Sequence, residues 1–133
     1  MKMKNNDIHN SAKIGENTRI YPFVYIEGDV VIGENCIIKP FVYIPNGTRI
    51  GDNVFIGMGT QICNDKYPRP NNPDFKCRGV TIEDDVSIGA NVTILPGVTI
   101  HTKSVVGAGI TVIKDIPERT IVHKSFCTCG GSD

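Results

Sequence analysis

The sequence predicts an all-β chain: a parallel β-helix of about five triangular coils with one protruding loop. Three observations predict it. Isoleucine stands at every sixth position from Ile8 to Ile62, and the beat resumes at Ile82 and runs through Ile88, Ile94, Ile100, Val106 and Val112. Four residues after each of these comes a second column of small or β-branched residues, from Ala12, Thr18 and Val24 to Val98, Ser104, Ile110 and Ile116. Longer echoes recur at eighteen residues: I-G-E-N at 14–17 and 32–35, I-G-D-N at 50–53, and P-F-V-Y-I at 22–26 and 40–44.

A period of six fits neither the 3.6 of an α-helix nor plain strand alternation, so the hexad itself is the structural unit. Gly, Asp, Glu and Asn follow the isoleucines in I-G-E-N, I-G-D-N and I-E-D-D, which is the chemistry of a corner with unusual backbone angles. Each hexad is then a short strand plus a turn, and the eighteen-residue echo gives three hexads per coil. Ten hexads before the break and six after it give about five coils, roughly 24 Å of prism at ~4.8 Å per strand spacing. Each buried isoleucine contributes roughly 1.5 to 3 kcal/mol of transfer free energy.

The chain of 133 residues fits a single domain over 1–133, with an inserted loop at 63–81 and a tail at 118–133. Lys plus Arg and Asp plus Glu each number 14, and neither sign forms a long run. That gives no footprint for nucleic acid or a membrane surface, and no partner of either kind is expected. The opening M-K-M-K-N-N lacks the apolar stretch of a secretory signal, and no apolar run approaches a bilayer span; a cytoplasmic location is expected. The five cysteines read as thiols, with Cys36 in the core column and Cys127 and Cys129 in the tail. No C-x-x-C partner accompanies that C-x-C, so no metal is expected. Phe23, Tyr25, Phe41 and Tyr43 point outward in pairs eighteen apart, an aromatic stripe expected to meet another subunit.

The hexads, I-G-A-N-V-T-I-L-P-G-V-T-I at 88–100 and V-V-G-A-G-I-T-V-I-K-D-I-P at 105–117 resemble the hexapeptide-repeat acyltransferases over residues 8 to about 122. The resemblance implies a left-handed β-helix, a homotrimer and acyl-CoA sites between subunits. Periodicity carries no handedness of its own. The stretch N-D-K-Y-P-R at 64–69, followed by I-L-P-G-V-T-I, is similar to the nucleotide-linked amino-sugar N-acetyltransferases, which act on dTDP- or UDP-linked sugars for surface glycans. That resemblance implies acetyl-CoA as co-substrate and Asn64 beside the amine. It implies a pantetheine arm along the corners of Gly89–Ala90 and Gly107–Ala108, with Lys114 of K-D-I-P near it. Where relatives carry a Gly-Asn-Pro-Ala type loop this chain reads I-V-H-K-S-F-C at 121–127, leaving Lys124 as a phosphate partner; where they carry W-H-F-V-H it reads Y-P-F-V-Y.

The residue chemistry leads the same way. Acyl transfer to an alcohol needs a base, usually histidine, and none of His9, His101 and His123 lies in the inserted segment. A sugar amine is substantially unprotonated near neutral pH, so orientation and a backbone N–H for the oxyanion supply much of the acceleration. Asn64 and Asp65 suit that task, and they equally suit an Asx turn that shapes the loop start. Lys66, Tyr67 and Arg69 add a cation, an aromatic that can stack on a base or sugar, and a planar cation that can grip a diphosphate. Three alternatives stay open. They are an O-acetyltransferase of a sugar or serine with His101 as base, a γ-type carbonic anhydrase needing three zinc-binding histidines, and a non-catalytic scaffold or ice-binding prism. The histidine spacing argues against the second and the interruption of the repeat against the third.

Overall fold

A computed structural model of the chain describes residues 5–123. Seventeen two-residue strands, all pairing in parallel, form three sheets. The first face takes β1 Asp7–Ile8, β4 Tyr25–Ile26, β7 Tyr43–Ile44, β10 Gln61–Ile62, β13 Thr93–Ile94 and β16 Thr111–Val112. The second takes β2 Lys13–Ile14, β5 Val31–Ile32, β8 Arg49–Ile50, β11 Thr81–Ile82 and β14 Thr99–Ile100. The third takes β3 Arg19–Ile20, β6 Ile37–Ile38, β9 Phe55–Ile56, β12 Ser87–Ile88, β15 Val105–Val106 and β17 Ile121–Val122. Every third strand returns to the same face, as the eighteen-residue echo requires, and the prism agrees with the left-handed β-helix that the resemblance implies.

The isoleucine column is the interior. Ile26, Ile38, Ile44, Ile56, Ile62 and Ile82 are wholly buried, and each stacks on its counterpart one coil away. The second column is buried too from Thr18 to Ser104, with Ala12 and Ile110 partly buried, and its polar members are satisfied. Thr18, Thr48, Thr60 and Ser104 donate to the carbonyls of Gly33, Pro45, Gly89 and Pro117 at 2.7, 2.7, 3.1 and 2.7 Å. A hydroxyl is tolerated inside because a corner carbonyl of the stack accepts it.

The corners turn through a residue of positive φ three places after each buried isoleucine except Ile62, where the loop departs. Asn17, Asn35 and Asn53 fill it at one corner with φ of 61°, 58° and 57°, and asparagine accepts this region at low strain. At the third-to-first corner the occupants include Phe23 and Phe41 at 63° and 64°, with Gly59 and Gly109 both at 74°. The Gly15–Gly33–Gly51 column has a different cause: a Cβ on Gly15 would lie 2.5 Å from the carbonyl carbon of Gly33.

Three expectations need correction. The chain winds about six coils, not five: β17 pairs with β15, and Ile116 bridges Ile100, so residues expected in the tail belong to the prism. The last coil escapes the hexad count because it is two residues short, Val122 pairing with Val106 sixteen positions earlier. The loop occupies 63–79, since Val80 is already a buried core residue. It leaves from the first face and joins the second: β10 lies on the first face and β11 on the second, where Ile82 pairs with Ile50. Twenty residues separate Ile62 and Ile82 where six complete a hexad, so fourteen extra residues bulge from one corner. Among the described residues no helix is long and apolar enough to cross a membrane.

Candidate functional site

The break stands at the corner between the first and second faces, so the first face and its two edges frame the site. Outward along that face stand Tyr25, Tyr43, Gln61, Thr93 and Thr111, one per coil. The two tyrosines stack with centroids 5.7 Å apart. Beyond them Thr93 and Thr111 leave a low, polar surface. Along the loop edge Cys63, Leu95 and Ile113 occupy one column, each following a buried β-branched residue, and Asn46, Asn64, Pro96 and Lys114 occupy the next.

Asn64 leaves the prism with its carboxamide engaged: Nδ2 donates to the Asn46 carbonyl at 3.0 Å and lies 3.8 Å from the Cys77 sulfur, while the Asn64 carbonyl accepts from the Arg78 N–H at 2.9 Å. The two ends of the loop are thus pinned to each other and to the coil below. Asp65 Oδ1 accepts from the Tyr67 N–H at 3.1 Å, which is an Asx turn, so that reading of the residue holds. It does not consume the second carboxylate oxygen.

Three hollows meet at the loop. One of about 360 Å³ is walled by Tyr43, Gln61, Cys63, Asn64, Asp65 and Pro68. A second, of about 520 Å³, lies between Cys63, Asp65, Lys66, Pro68 and the apolar edge of Leu95, Pro96 and Ile113. The third, about 230 Å³, is inside the loop between Asp65, Lys66, Tyr67, Asn72, Asp74, Lys76 and Arg78. Asp65 borders all three, with Asn64 one residue inward on the rigid prism.

Of the expected binding residues, Lys66 lies 5.6 Å from the Tyr67 ring centroid and Tyr67 is exposed. Arg69 is not free: it bonds Asn72 Oδ1 at 2.9 Å and pairs with Asp74 at 3.7 Å. Both partners are exposed, so the pair is worth little and exchanges readily for another anion. Gly89, Ala90, Gly107 and Ala108 line the opposite edge, the third-to-first corner. A Cβ on Gly89 would lie 2.6 Å from the Ala108 nitrogen, so coil stacking by itself demands that glycine. A Cβ on Gly109 would meet nothing within 4 Å, which leaves the outer side of that edge open. Lys114 is exposed on the loop edge, two coils beyond Asn64 in the same column, and Lys124 lies outside the described residues.

The sequence reading missed Tyr43 as a wall of the site, together with Glu27, Cys63, Lys76, Arg78, Leu95 and Ile113. Burial, then the charge and hydrogen bond of Glu27, push the Tyr43 phenol up to about 12, and burial raises the Cys63 thiol. Both walls are therefore neutral at neutral pH. His101 Nδ1 lies 3.1 Å from Glu83 Oε1, but at the second-to-third corner, across the second face from the loop. His9 contacts Ser11 at 2.8 Å. Among the described residues no three metal-ligating side chains converge.

Two repeat models match the chain, the bacterial transferase hexapeptide (six repeats) over residues 11–46 and the hexapeptide repeat of succinyl-transferase over 79–114. The chain is a hexapeptide-repeat protein. Its repeats flank the loop on both sides and leave it unmatched. It is 36% identical over 84 residues to a galactoside O-acetyltransferase of Lactococcus lactis, an overlap of 56% of this chain and 41% of that relative. The hexapeptide-repeat chain thus spans less than half the length of that curated relative. Among solved structures it is similar to AntD, an N-acyltransferase from Bacillus cereus in complex with dTDP and 3-hydroxybutyryl-CoA, at TM-score 0.81 and 26% identity over 90% of this chain and 72% of that one. PerB from Caulobacter crescentus, in complex with CoA and GDP-perosamine, shares the fold at TM-score 0.76, with 23% identity and cover of 89% and 50%.

Proposed function

We propose that the chain is an acyl-CoA-dependent N-acyltransferase, with acetyl as its acyl group, acting on the amino group of a nucleotide-linked amino-deoxy sugar. We place it in the cytoplasm as a homotrimer with sites between subunits. One observation carries the reading: a loop of mixed cations, carboxylates and an exposed tyrosine is rooted by Asn64 and Asp65 on a rigid face whose opposite edge is kept small by Gly89, Ala90, Gly107 and Ala108. The likeness to an N-acyltransferase bound to dTDP and an acyl-CoA supports it.

The thioester supplies the activated acyl group. Asn64 supplies an oxygen that accepts one N–H of the acceptor amine and directs its lone pair, work of orientation rather than base catalysis. As the new C–N bond forms and the C–S bond breaks, the proton lost by nitrogen is taken up by the departing sulfur. Lys66, Lys76 and Arg78 outnumber the two carboxylates of the loop hollow, which suits a diphosphate, and Arg69 joins them when Asp74 gives way. The ring of Tyr67 suits a base or sugar face. The small corner residues suit the coenzyme arm, with Lys114 and Lys124 as cations for its phosphates.

The test is thiol release from acetyl-CoA with a panel of nucleotide-linked 3-amino and 4-amino sugars against hydroxyl acceptors of similar size. Turnover confined to the amino sugars is expected, and turnover confined to hydroxyl acceptors refutes the reading. The His101–Glu83 pair and the galactoside O-acetyltransferase relative favour O-acetylation as the second reading. Loss of activity in His101→Ala with full activity in Asn64→Ala selects it.

A further inference from the structure

The first-to-second corner carries a hydrogen-bonded column reaching from the second coil to the root of the loop. Asn46 and Asn64 hold equivalent places one coil apart. Each gives its carboxamide to the coil below, Asn46 Nδ2 to the Gly28 carbonyl and Asn64 Nδ2 to the Asn46 carbonyl, both at 3.0 Å. The Asn46 backbone is held at its amide by Glu27, whose Oε1 accepts the Asn46 N–H at 2.8 Å. Glu27 also bonds the hydroxyl of Tyr43, which walls the same hollow as Asn64. Above, the Cys77 thiol donates to the Asn46 carbonyl at 3.2 Å. Residues from both ends of the loop converge on the Asn46 carbonyl, and one carboxylate holds the N–H of that same residue, one Cα away.

A carboxamide has a donor end and an acceptor end. The Asn46 carbonyl only accepts, so it selects the Nδ2 end of Asn64 and fixes the flip state of the amide. Oδ1 is left without a protein partner among the described residues, on a side chain that borders the 360 Å³ hollow. The ladder bond alone is structural, since Asn46 makes the same one; at Asn46 the amide oxygen accepts from the Cys77 thiol at 3.6 Å, whereas at Asn64 it is spare beside a hollow.

We propose that Glu27 is a positioning residue, acting through the backbone of Asn46 to hold the Asn64 carboxamide with Oδ1 free to accept an N–H of the acceptor amine. The proposal rests on the amino-sugar reading of this site. Glu27 touches neither the acyl donor nor the reacting atoms, so its loss falls on turnover and spares the affinity for acyl-CoA.

The experiment compares Glu27→Ala, Glu27→Gln, Asn64→Ala and the Glu27→Ala/Asn64→Ala double variant. The readouts are turnover with the best amino-sugar acceptor and the rate at which iodoacetamide alkylates Cys77, followed on its peptide by mass spectrometry. Glu27→Ala is expected to lower kcat about tenfold with the KM for acyl-CoA unchanged. Glu27→Gln still accepts the Asn46 N–H and restores kcat to within about threefold of wild type. The double variant is no slower than Asn64→Ala alone, because Glu27 acts through Asn64. Cys77 shares the Asn46 carbonyl, so it alkylates severalfold faster in Glu27→Ala with no substrate present. Losses that multiply in the double variant, or Cys77 reactivity unchanged in Glu27→Ala, overturn the proposal. Should Glu27→Ala not fold, Glu27→Gln carries the same comparison at smaller amplitude. Wild-type turnover in Asn64→Ala, or no turnover with any amino sugar, sinks the reading of the site instead, and the alkylation comparison then decides by itself whether Glu27 holds the loop root.

Discussion

Deleting residues 64–77 joins Cys63 to Arg78 and writes an unbroken hexad, I-C-R-G-V-T-I, from Ile62 to Ile82. Val80 keeps its buried place in the second column, and Gly79 falls three places after the isoleucine, where Gly47 and Gly97 turn the same corner at φ of 89° and 79°. Shortening the connection from twenty residues to six lowers the closure entropy by about 1 kcal/mol. Four hydrogen bonds between the deleted segment and the rest of the chain are given up: Asn64 and Cys77 to the Asn46 carbonyl, Cys77 to Asn46 Oδ1, and Arg78 N–H to Asn64. At roughly 0.5 to 1 kcal/mol each for partly exposed groups they offset that gain. The prism is expected to keep its β signature in far-ultraviolet circular dichroism, with a Tm within about 5 °C of the full chain, while thiol release with amino sugars falls below detection. A deletion chain that aggregates or unfolds shows the loop to be part of the core. One that folds and still turns over amino sugars shows that the loop is not the acceptor site.

Asn64→Asp is expected to lose at least ~10-fold in turnover, as Asn64→Ala does, because a carboxylate cannot donate to the Asn46 carbonyl and must swing away; full activity in the aspartate variant removes the ladder from the mechanism. Tyr43 is raised to about 12, so the folded chain keeps a proton that the unfolded chain releases near 10. Its contribution to stability is complete below pH 10 and fades as pH climbs toward 12. With no tryptophan in the chain, absorbance at 295 nm follows tyrosinate directly, and Tyr43→Phe should delete the most alkaline step while Glu27→Gln moves it downward; a last step that survives Tyr43→Phe refutes the assignment.

The hexads, the two interior columns and three strands per coil could be read from spacing, because one core residue per strand makes a slip of register immediately visible as a lost isoleucine. The sixth coil could not: Pro117 follows Ile116, and the chain returns after sixteen residues rather than eighteen. The loop announced itself through N-D-K-Y-P-R, and Asn64 and Asp65 do stand at its root. What stayed hidden was everything assembled by stacking. Glu27, Cys63, Leu95 and Ile113 share a column, yet each looks unremarkable in its own hexad, and only folding the text into rows of eighteen with fourteen residues removed aligns them. The Arg69–Asp74 pair was equally invisible, since it depends on how an irregular loop closes on itself rather than on any period.

The aromatic ridge offers a test in which strain and association pull apart. Phe23 and Phe41 are 57% and 60% exposed, stack with centroids 5.3 Å apart, and both hold a positive φ that glycine holds at 59 and 109. A bulky residue there costs about 1 to 2 kcal/mol in backbone strain. In one subunit, Phe→Gly relieves that strain but loses a stack worth about 0.5 to 1.5 kcal/mol and admits glycine's entropy at about 0.5 to 1 kcal/mol. These terms nearly cancel, so an isolated prism has little use for the two rings. Buried against a neighbouring copy, each phenylalanine returns roughly 1.5 to 3 kcal/mol, enough to account for an otherwise strained corner. The Phe23→Gly/Phe41→Gly chain is therefore expected to keep its β content while sedimentation equilibrium shows a trimer weakened at least ~100-fold, against a wild type that stays trimeric at micromolar concentration. A wild-type monomer, or a double variant that assembles as tightly as wild type, would mean that the ridge is not the contact and that the site is completed by something other than this face.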